Sequence, residues 1–276
     1  MSNRELPPDL SSSVRRALSE DIGKGDLTAE LIPEQNLASA SVISREKAVL
    51  CGSAWFDEVF KQVDERVQVE WLAADGDSIK PGQVVCQLQG PARAMLSGER
   101  TALNFLQLLS GTATLTREYV QHLGETNTRL LDTRKTIPGL RSSQKYAVTC
   151  GGGFNHRMGL YDAILIKENH IAAAGSIRAA VSTAKKSAHA IEVEVENLDQ
   201  LQQAIDAGAD SVLLDNFSIE DLGKAVELNA GQLKLEVSGG VEKDGLREIA
   251  ATGVDYISSG ALTKHVRAID FSMRID

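Results

Sequence analysis

At 276 residues and 42% hydrophobic content, the chain can fill one large barrel or two ordinary domains. No run approaches the roughly 18 apolar residues of a membrane span, and residues 1–13, MSNRELPPDLSSS, lack a signal peptide's apolar middle, so cytoplasmic residence is expected. A net charge of -9 disfavours a nucleic-acid surface, and Cys51, Cys86 and Cys150, odd in number and without CxxC spacing, indicate neither a disulfide framework nor a zinc site.

The first hundred residues predict an amphipathic helix from about Leu10 to Leu18, the segment EDIGKGDLT, and β-rich stretches at 38–50, 67–73 and 83–90. The passage from Ala74 to Gly90, with Asp75-Gly76-Asp77 and Pro81-Gly82, resembles half of a lipoyl-carrier hairpin. It has no lysine at a carrier-like tip, so its Gly and Pro are read as turns between antiparallel strands. A long helical pattern follows from about Arg93 to Leu123, with Glu99 and Arg100 emerging together from GERTALNFLQLLSG.

Beyond residue 125 the rhythm changes to short apolar runs alternating with helical patterns. Six strands are expected at 129–132, 163–166, 190–195, 211–215, 233–240 and 255–260, with Ser176 and Asp199 as helix caps. Repeated strand-helix units imply parallel strands with crossover helices. A doubly wound sheet has a similar rhythm, but polar or glycine residues punctuate nearly every strand end, as an α/β barrel would use them, and no GxGxxG follows the first strand.

Those strand ends carry the chemistry. From Arg129 to Lys167, seven Lys or Arg stand against Asp132 and Asp162, a local +5 that leaves -14 for the rest of the chain. Such a reversal suggests an electrostatically focused pocket. Thr133, Arg134, Lys135 and Thr136 precede the helix-breaking Pro138-Gly139; adjacent cations there repel unless an anion joins them. A solvated loop is the plain alternative. Gly151 to Gly153 permit an unusual turn before Asn155, His156 and Arg157, and Lys167 ends the next apolar strand, where it needs an anionic partner or a lowered pKa. His170 orders the KENH loop or joins the site.

Glu192, Glu194 and Glu196 recur at period two, so they share one side of their strand and cannot all be buried unpaired. Glu194 and Asp215, at neighbouring strand ends, suit a Mg²⁺ ion already chelated by a phosphorylated substrate. Asn216 reads as a helix cap. Ser238, Gly239, Gly240, Ser259, Gly260 and Ala261 can bring backbone N–H groups to an anion at two successive late strands, where barrel enzymes recurrently bind phosphate.

Together, EDIGKGDLT, GERTALNFLQLLSG, LDTRKTIPGLR, GGGFNHRMGLYDAILIKENHI, EVEVEN, LLDNF, LEVSGG and ISSGALTKH resemble the quinolinate phosphoribosyltransferase family, nearly the whole chain in order. The resemblance implies an α+β N-terminal sheet domain at 1–110 and an incomplete, seven-stranded α/β barrel at 111–265, with residues 266–276 packing back on the first domain. It implies transfer of phosphoribosyl from phosphoribosyl pyrophosphate to quinolinate, giving nicotinate mononucleotide, pyrophosphate and CO2, with Mg²⁺ and no organic cofactor. It also implies a homodimer whose Arg100 enters the neighbouring subunit's site, and no nucleic-acid or membrane partner.

By the same resemblance Arg100, Arg134, His156, Arg157 and Lys167 grip quinolinate, Thr133 is a further substrate-binding residue, and Lys135 faces ribose and pyrophosphate. Glu194 and Asp215 serve the ribose and Mg²⁺, and the residues 238–240 and 259–261 hold the 5-phosphate. Lys135, Glu194 and Asp215 are the expected catalytic groups. The competing readings are a phosphoribosyltransferase for a monocarboxylate such as nicotinate, a Schiff-base aldolase using Lys167, and a carrier or scaffold built on the 74–90 hairpin. The number of converging cations and the absent carrier lysine weigh against the first and last.

Overall fold

The structure is a computed structural model that describes residues 5–275. In chain order it forms α1 (Leu10–Ile22), β1 (Leu37–Ser44), β2 (Ala48–Val49), α2 (Ser53–Val63), β3 (Gln68–Trp71), β4 (Ser78–Ile79), β5 (Val84–Pro91) and α3 (Ala92–Leu123). There follow β6 (Arg129–Leu131), α4 (Arg141–Gly151), β7 (Ile164–Ile166), α5 (Glu168–Ala174), α6 (Ile177–Ala184), β8 (Ile191–Val195), α7 (Leu198–Ala207) and β9 (Ser211–Asp215). The chain ends with α8 (Ile219–Asn229), β10 (Lys234–Ser238), α9 (Leu246–Ala251), β11 (Tyr256–Ser258), α10 (Ala261–Lys264) and β12 (Phe271–Ile275). Contacts divide these elements into two units, one of residues 5–117, 136–152 and 262–275, the other of residues 118–135 and 153–261.

In the first unit an antiparallel sheet of order β12-β1-β5-β3 is backed by helices whose apolar faces bury Trp55, Phe56, Phe60, Leu103, Leu106 and Leu109. Each such side chain contributes roughly 1.5–3 kcal/mol by leaving water. The 74–90 passage is turns and strands, as its Gly and Pro predict: β4 pairs with β2, and β5 lies between β1 and β3. Asp75 accepts hydrogen bonds from the Gly52 and Ser53 amides at 3.1 and 3.2 Å, satisfying donors that the start of α2 leaves open. The last strand, β12, pairs with β1 from Ala40↔Ile275 to Ser44↔Phe271. Gly111 is required where the chain returns, because a Cβ there would lie 2.2 Å from the Arg267 carbonyl oxygen.

The second unit is built on a parallel sheet of order β6-β11-β10-β9-β8-β7, flanked by helices. The resemblance implied seven strands; the described residues contain six, with Phe154 adding a single parallel bridge beside Leu131. One residue cannot propagate a ladder, so the seventh position stays a bridge. Register gives the sheet two unlike faces. Val193 pairs with Val212, and Leu214 with Val237, so one face is continuously apolar and buried. Glu192 pairs with Ser211, Glu194 and Glu236 both lie beside Leu213, and Ser238 lies beside Asp215, so the other face is largely polar.

Helix caps differ partly from expectation. Ser176 caps α6 by accepting from the Ala179 amide. Asn197, not Asp199, caps α7, because its side chain sits one residue outside the helix and accepts from Gln200; Asp199 lies in the first turn. Ser218, not Asn216, caps α8 through the Asp221 amide.

Candidate active site

The polar face of the parallel sheet ends in a layered cluster. At its floor Glu192 is buried and Glu236 is 2% exposed, two carboxylates removed from water. His156 Nε2 lies 2.9 Å from Glu192 Oε2 and 3.3 Å from Glu236 Oε2, and the Ser211 hydroxyl donates to Glu192. Burial alone would lower the imidazole pKa, but hydrogen bonds and charge from both carboxylates outweigh it and push it up to about 10. The Arg157 amide donates to Nδ1 at 2.7 Å and opposes the second proton, so that contact must open when the ring is fully charged. Burial, followed by the Glu192 charge, raises the Glu236 pKa.

The same segment is tied to the first strand of the sheet. Buried Asp132, just past β6, accepts the His156 amide at 2.9 Å, and the Asp132 amide donates to the Phe154 carbonyl. Arg157 is thereby presented from a fixed backbone. Burial and the repulsion of Arg134 lower its guanidinium pKa, while Glu192 and Asp162 act in the opposite direction. Two guanidinium groups that repel one another present a paired positive charge and only hydrogen-bond donors, the chemistry that suits a carboxylate or phosphate.

At the next level Lys167, just past β7, holds Glu194 of β8, Nζ to Oε2 2.5 Å. The contact engages the Lys167 amine that a Schiff-base reading would need free. His170 accepts the Lys167 amide on Nδ1 and so orders the KENH loop. Glu196 lies beyond β8 and is exposed, which resolves the period-two triplet into one buried, one half-buried and one solvated carboxylate.

Around the rim, Thr133 Oγ1 accepts the Lys135 amide at 3.0 Å. A Cβ on Gly260 would lie 2.8 Å from Lys135 Cδ and 3.3 Å from Thr133 Oγ1, so the turn after β11 meets the turn after β6 closely. The Ser259 amide donates to the Leu131 carbonyl of β6 and the Ala261 amide to Ser259 Oγ, tying that turn to the neighbouring strand and to itself. Gly239 and Gly240 after β10 have φ of 95° and 58°. Asp215 ends β9 beside Ser238.

The fifteen expected residues therefore separate. Thr133, Arg134, Lys135, His156, Arg157, Lys167, Glu194, Asp215, Ser238, Gly239, Gly240, Ser259, Gly260 and Ala261 belong to the second unit, near the carboxyl ends of its strands. Arg100 is exposed on α3 in the first unit. A cavity of about 470 Å³ also lies in the first unit, but its charged lining, Arg16 against Glu20 and Asp21, has the wrong sign for an anionic ligand. Glu236 and Asp132 join the cluster without having been singled out in the sequence; the signal for Glu236 is a carboxylate at the middle of the alternating run LKLEVS, on the same side of the strand as Ser238.

Among the described residues, one group on this face has the ligand spacing that a metal ion needs. His156, Glu192 and Glu236 place ligand atoms within 4.8 Å of one another, but there the histidine already bonds directly to the acids. Glu194 and Asp215 offer hard oxygens nearer the strand ends, the donor type Mg²⁺ prefers.

Residues 26–110 match the quinolinate phosphoribosyl transferase N-terminal domain, and residues 112–274 match its C-terminal domain. The chain is 46% identical over 259 residues to a probable nicotinate-nucleotide pyrophosphorylase (carboxylating) of Bacillus subtilis, covering 93% of this chain and 90% of that protein. It is 38% identical to quinolinate phosphoribosyltransferase (decarboxylating) 2b, mitochondrial, of Nicotiana tabacum, covering 97% of this chain and 82% of the relative. The solved nicotinate-nucleotide pyrophosphorylase of Francisella tularensis superposes with a TM-score of 0.94 at 50% identity, over 99% of this chain and 98% of that one. With both family domains present in order and the fold shared along almost its full length, the chain belongs to the quinolinate phosphoribosyltransferase family.

Proposed function

We propose that this chain transfers phosphoribosyl from phosphoribosyl pyrophosphate to quinolinate with decarboxylation, producing nicotinate mononucleotide, pyrophosphate and CO2 for NAD biosynthesis. The observation that carries the reading is the cluster itself: repelling Arg134 and Arg157 beside the Lys167–Glu194 pair, with Asp215 and the glycine turns on adjoining strand ends. A dicarboxylate relieves the repulsion of the two guanidinium groups. Lys167 can turn from Glu194 toward the same ligand.

In this reading Arg134, His156, Arg157 and Lys167 orient quinolinate, with Thr133 shaping the turn and Arg100 supplied by a second copy in a homodimer. Lys135 faces the ribose and pyrophosphate, and the turns at 238–240 and 259–261 receive the 5-phosphate. Glu194 and Asp215 hold the ribose hydroxyls and the donor's Mg²⁺. That ion, when bound, neutralises charge on the departing pyrophosphate. The quinolinate ring nitrogen attacks the anomeric carbon as the C–O bond to pyrophosphate breaks, and the two carboxylates stabilise positive charge developing on the ribose. CO2 then departs from ring carbon C2, the electron pair of the broken C–C bond stays on C2 as an ylide stabilised by the adjacent positive nitrogen, and a proton taken up from solvent at C2 completes nicotinate mononucleotide. No organic cofactor enters. No described helix is long and apolar enough to cross a membrane, and cytoplasmic residence is part of the proposal.

The test supplies purified protein with Mg²⁺, phosphoribosyl pyrophosphate and either quinolinate or nicotinate, following CO2 and mononucleotide. Quinolinate turnover with stoichiometric CO2 is expected; turnover of nicotinate alone would overturn the assignment. For the shared site, mixing Arg100→Ala with Arg157→Ala chains should restore part of the activity through heterodimers with one intact site. No recovery despite demonstrated subunit exchange would remove Arg100 from that role.

A further inference from the structure

Among the described residues only two non-glycine residues have positive φ, Asn216 at 57° and Ala230 at 45°. Ala230 is the C-cap of α8, where a left-handed residue is the ordinary way to end a helix. Asn216 has no such explanation: it follows β9 directly and caps no helix, since Ser218 does that for α8. Left-handed backbone is disfavoured for residues with a Cβ, least so for asparagine, so the choice of residue suits the turn and the contacts around it say what the turn serves.

The surroundings are two parts of the proposed donor subsite. Asn216 Nδ2 donates to Asp215 Oδ2 at 2.9 Å. Its backbone N–H donates to the Ser238 carbonyl at 3.3 Å. A Cβ on Gly239 would lie 2.3 Å from Asn216 Oδ1 and 2.8 Å from its Cγ, so the side chain occupies the space that the glycine vacates. Gly239 itself has φ 95°, which also favours glycine. The left-handed turn is therefore what lets one residue touch both the acid ending β9 and the glycine turn ending β10.

We infer that Asn216 is a positioning residue for the phosphoribosyl donor, a strut that fixes the Asp215 carboxylate relative to the Ser238–Gly240 turn. The inference rests on the proposed reading of Asp215 and that turn as donor-binding groups. Asn216 orients the carboxylate by its amide and seats the turn by its shape. Quinolinate recognition, built on Arg134 and Arg157, does not pass through it.

Steady-state kinetics of Asn216→Gly, Asn216→Asp and Asp215→Asn test it, with melting curves to confirm folding. Asn216→Gly keeps the backbone accessible and removes only the side chain. It should raise KM for phosphoribosyl pyrophosphate about tenfold, the equivalent of one hydrogen bond to a charged group, and leave KM for quinolinate within about twofold. Asn216→Asp keeps the shape, replaces the donor with a charge facing Asp215, and should be worse. A double variant with Gly239→Ala tests the interlock: coupled positions give a double no worse than the poorer single, whereas additive losses exclude the strut. If Asp215→Asn raises KM for the donor and Asn216→Gly does not, the strut is wrong and the subsite reading stands. If neither moves it, the subsite reading itself fails.

Discussion

The two faces of the parallel sheet are made from the same strands by alternate residues, and they do opposite work. On one face Val193, Val212, Leu214, Val237 and Ile257 are buried against apolar neighbours, with no polar group to satisfy. On the other, Glu192, Glu194, Asp215 and Glu236 form a gradient from fully buried to half-exposed carboxylates. Burying an ionised carboxylate costs several kcal/mol unless it is paired. The lower acids meet that cost through His156 and Ser211, and an upper one through Lys167. The lesson is that stability and chemistry are separated by one residue along the strand rather than by distance.

A pair of truncations should separate those faces most sharply. Arg157→Ala removes a cation proposed to meet quinolinate and should lower kcat/KM for quinolinate by about a hundredfold or more, with a melting temperature close to wild type. Leu214→Ala, from the apolar face, should instead cost about 2–5 kcal/mol of stability and leave KM for both substrates nearly unchanged in the folded fraction. Denaturant melts beside initial-rate kinetics check both. Loss of substrate affinity in the leucine variant without loss of stability would break the division of labour.

Much of this was legible from one chain because strands carry their information locally. The six apolar runs, the strand-end positions of Lys167, Glu194 and Asp215, and the glycine turns follow from alternation and punctuation within short windows. What was hidden depends on partners distant in sequence. Glu236 becomes a site residue only once β10 is set beside β9 and His156 is brought under it, and Asp132 only once the 154–156 segment folds back on β6. Phe154 forms a bridge of one residue, too short for any strand pattern. The grouping of residues 136–152 with the first unit has no local signature either. Asn197 and Asp199 are both good caps two positions apart, and only backbone geometry chooses between them.

The floor of the polar face yields the most specific effect, one that is read in its dependence on pH. His156 is held by Glu192 and Glu236 with its pKa raised to about 10, against about 6.5 in an unfolded chain. Folding thus takes up a proton that the unfolded chain releases above about pH 6.5. The stabilisation is fully present below that pH and is lost as pH rises through about 10. Melting temperatures of wild type and His156→Gln, compared from pH 6 to 10, should therefore converge toward the alkaline end. Replacing Glu236 with Gln removes one of the two groups that raise the pKa and should shift the convergence to lower pH, visible also as an earlier titration of the His156 ring by NMR. A gap that stays constant with pH would mean the ring is neutral throughout, held as the Nε2–H tautomer by the Arg157 amide at Nδ1. The floor would then be a hydrogen-bonded scaffold, and the positive charge of the site would reside in Arg134, Arg157 and Lys167.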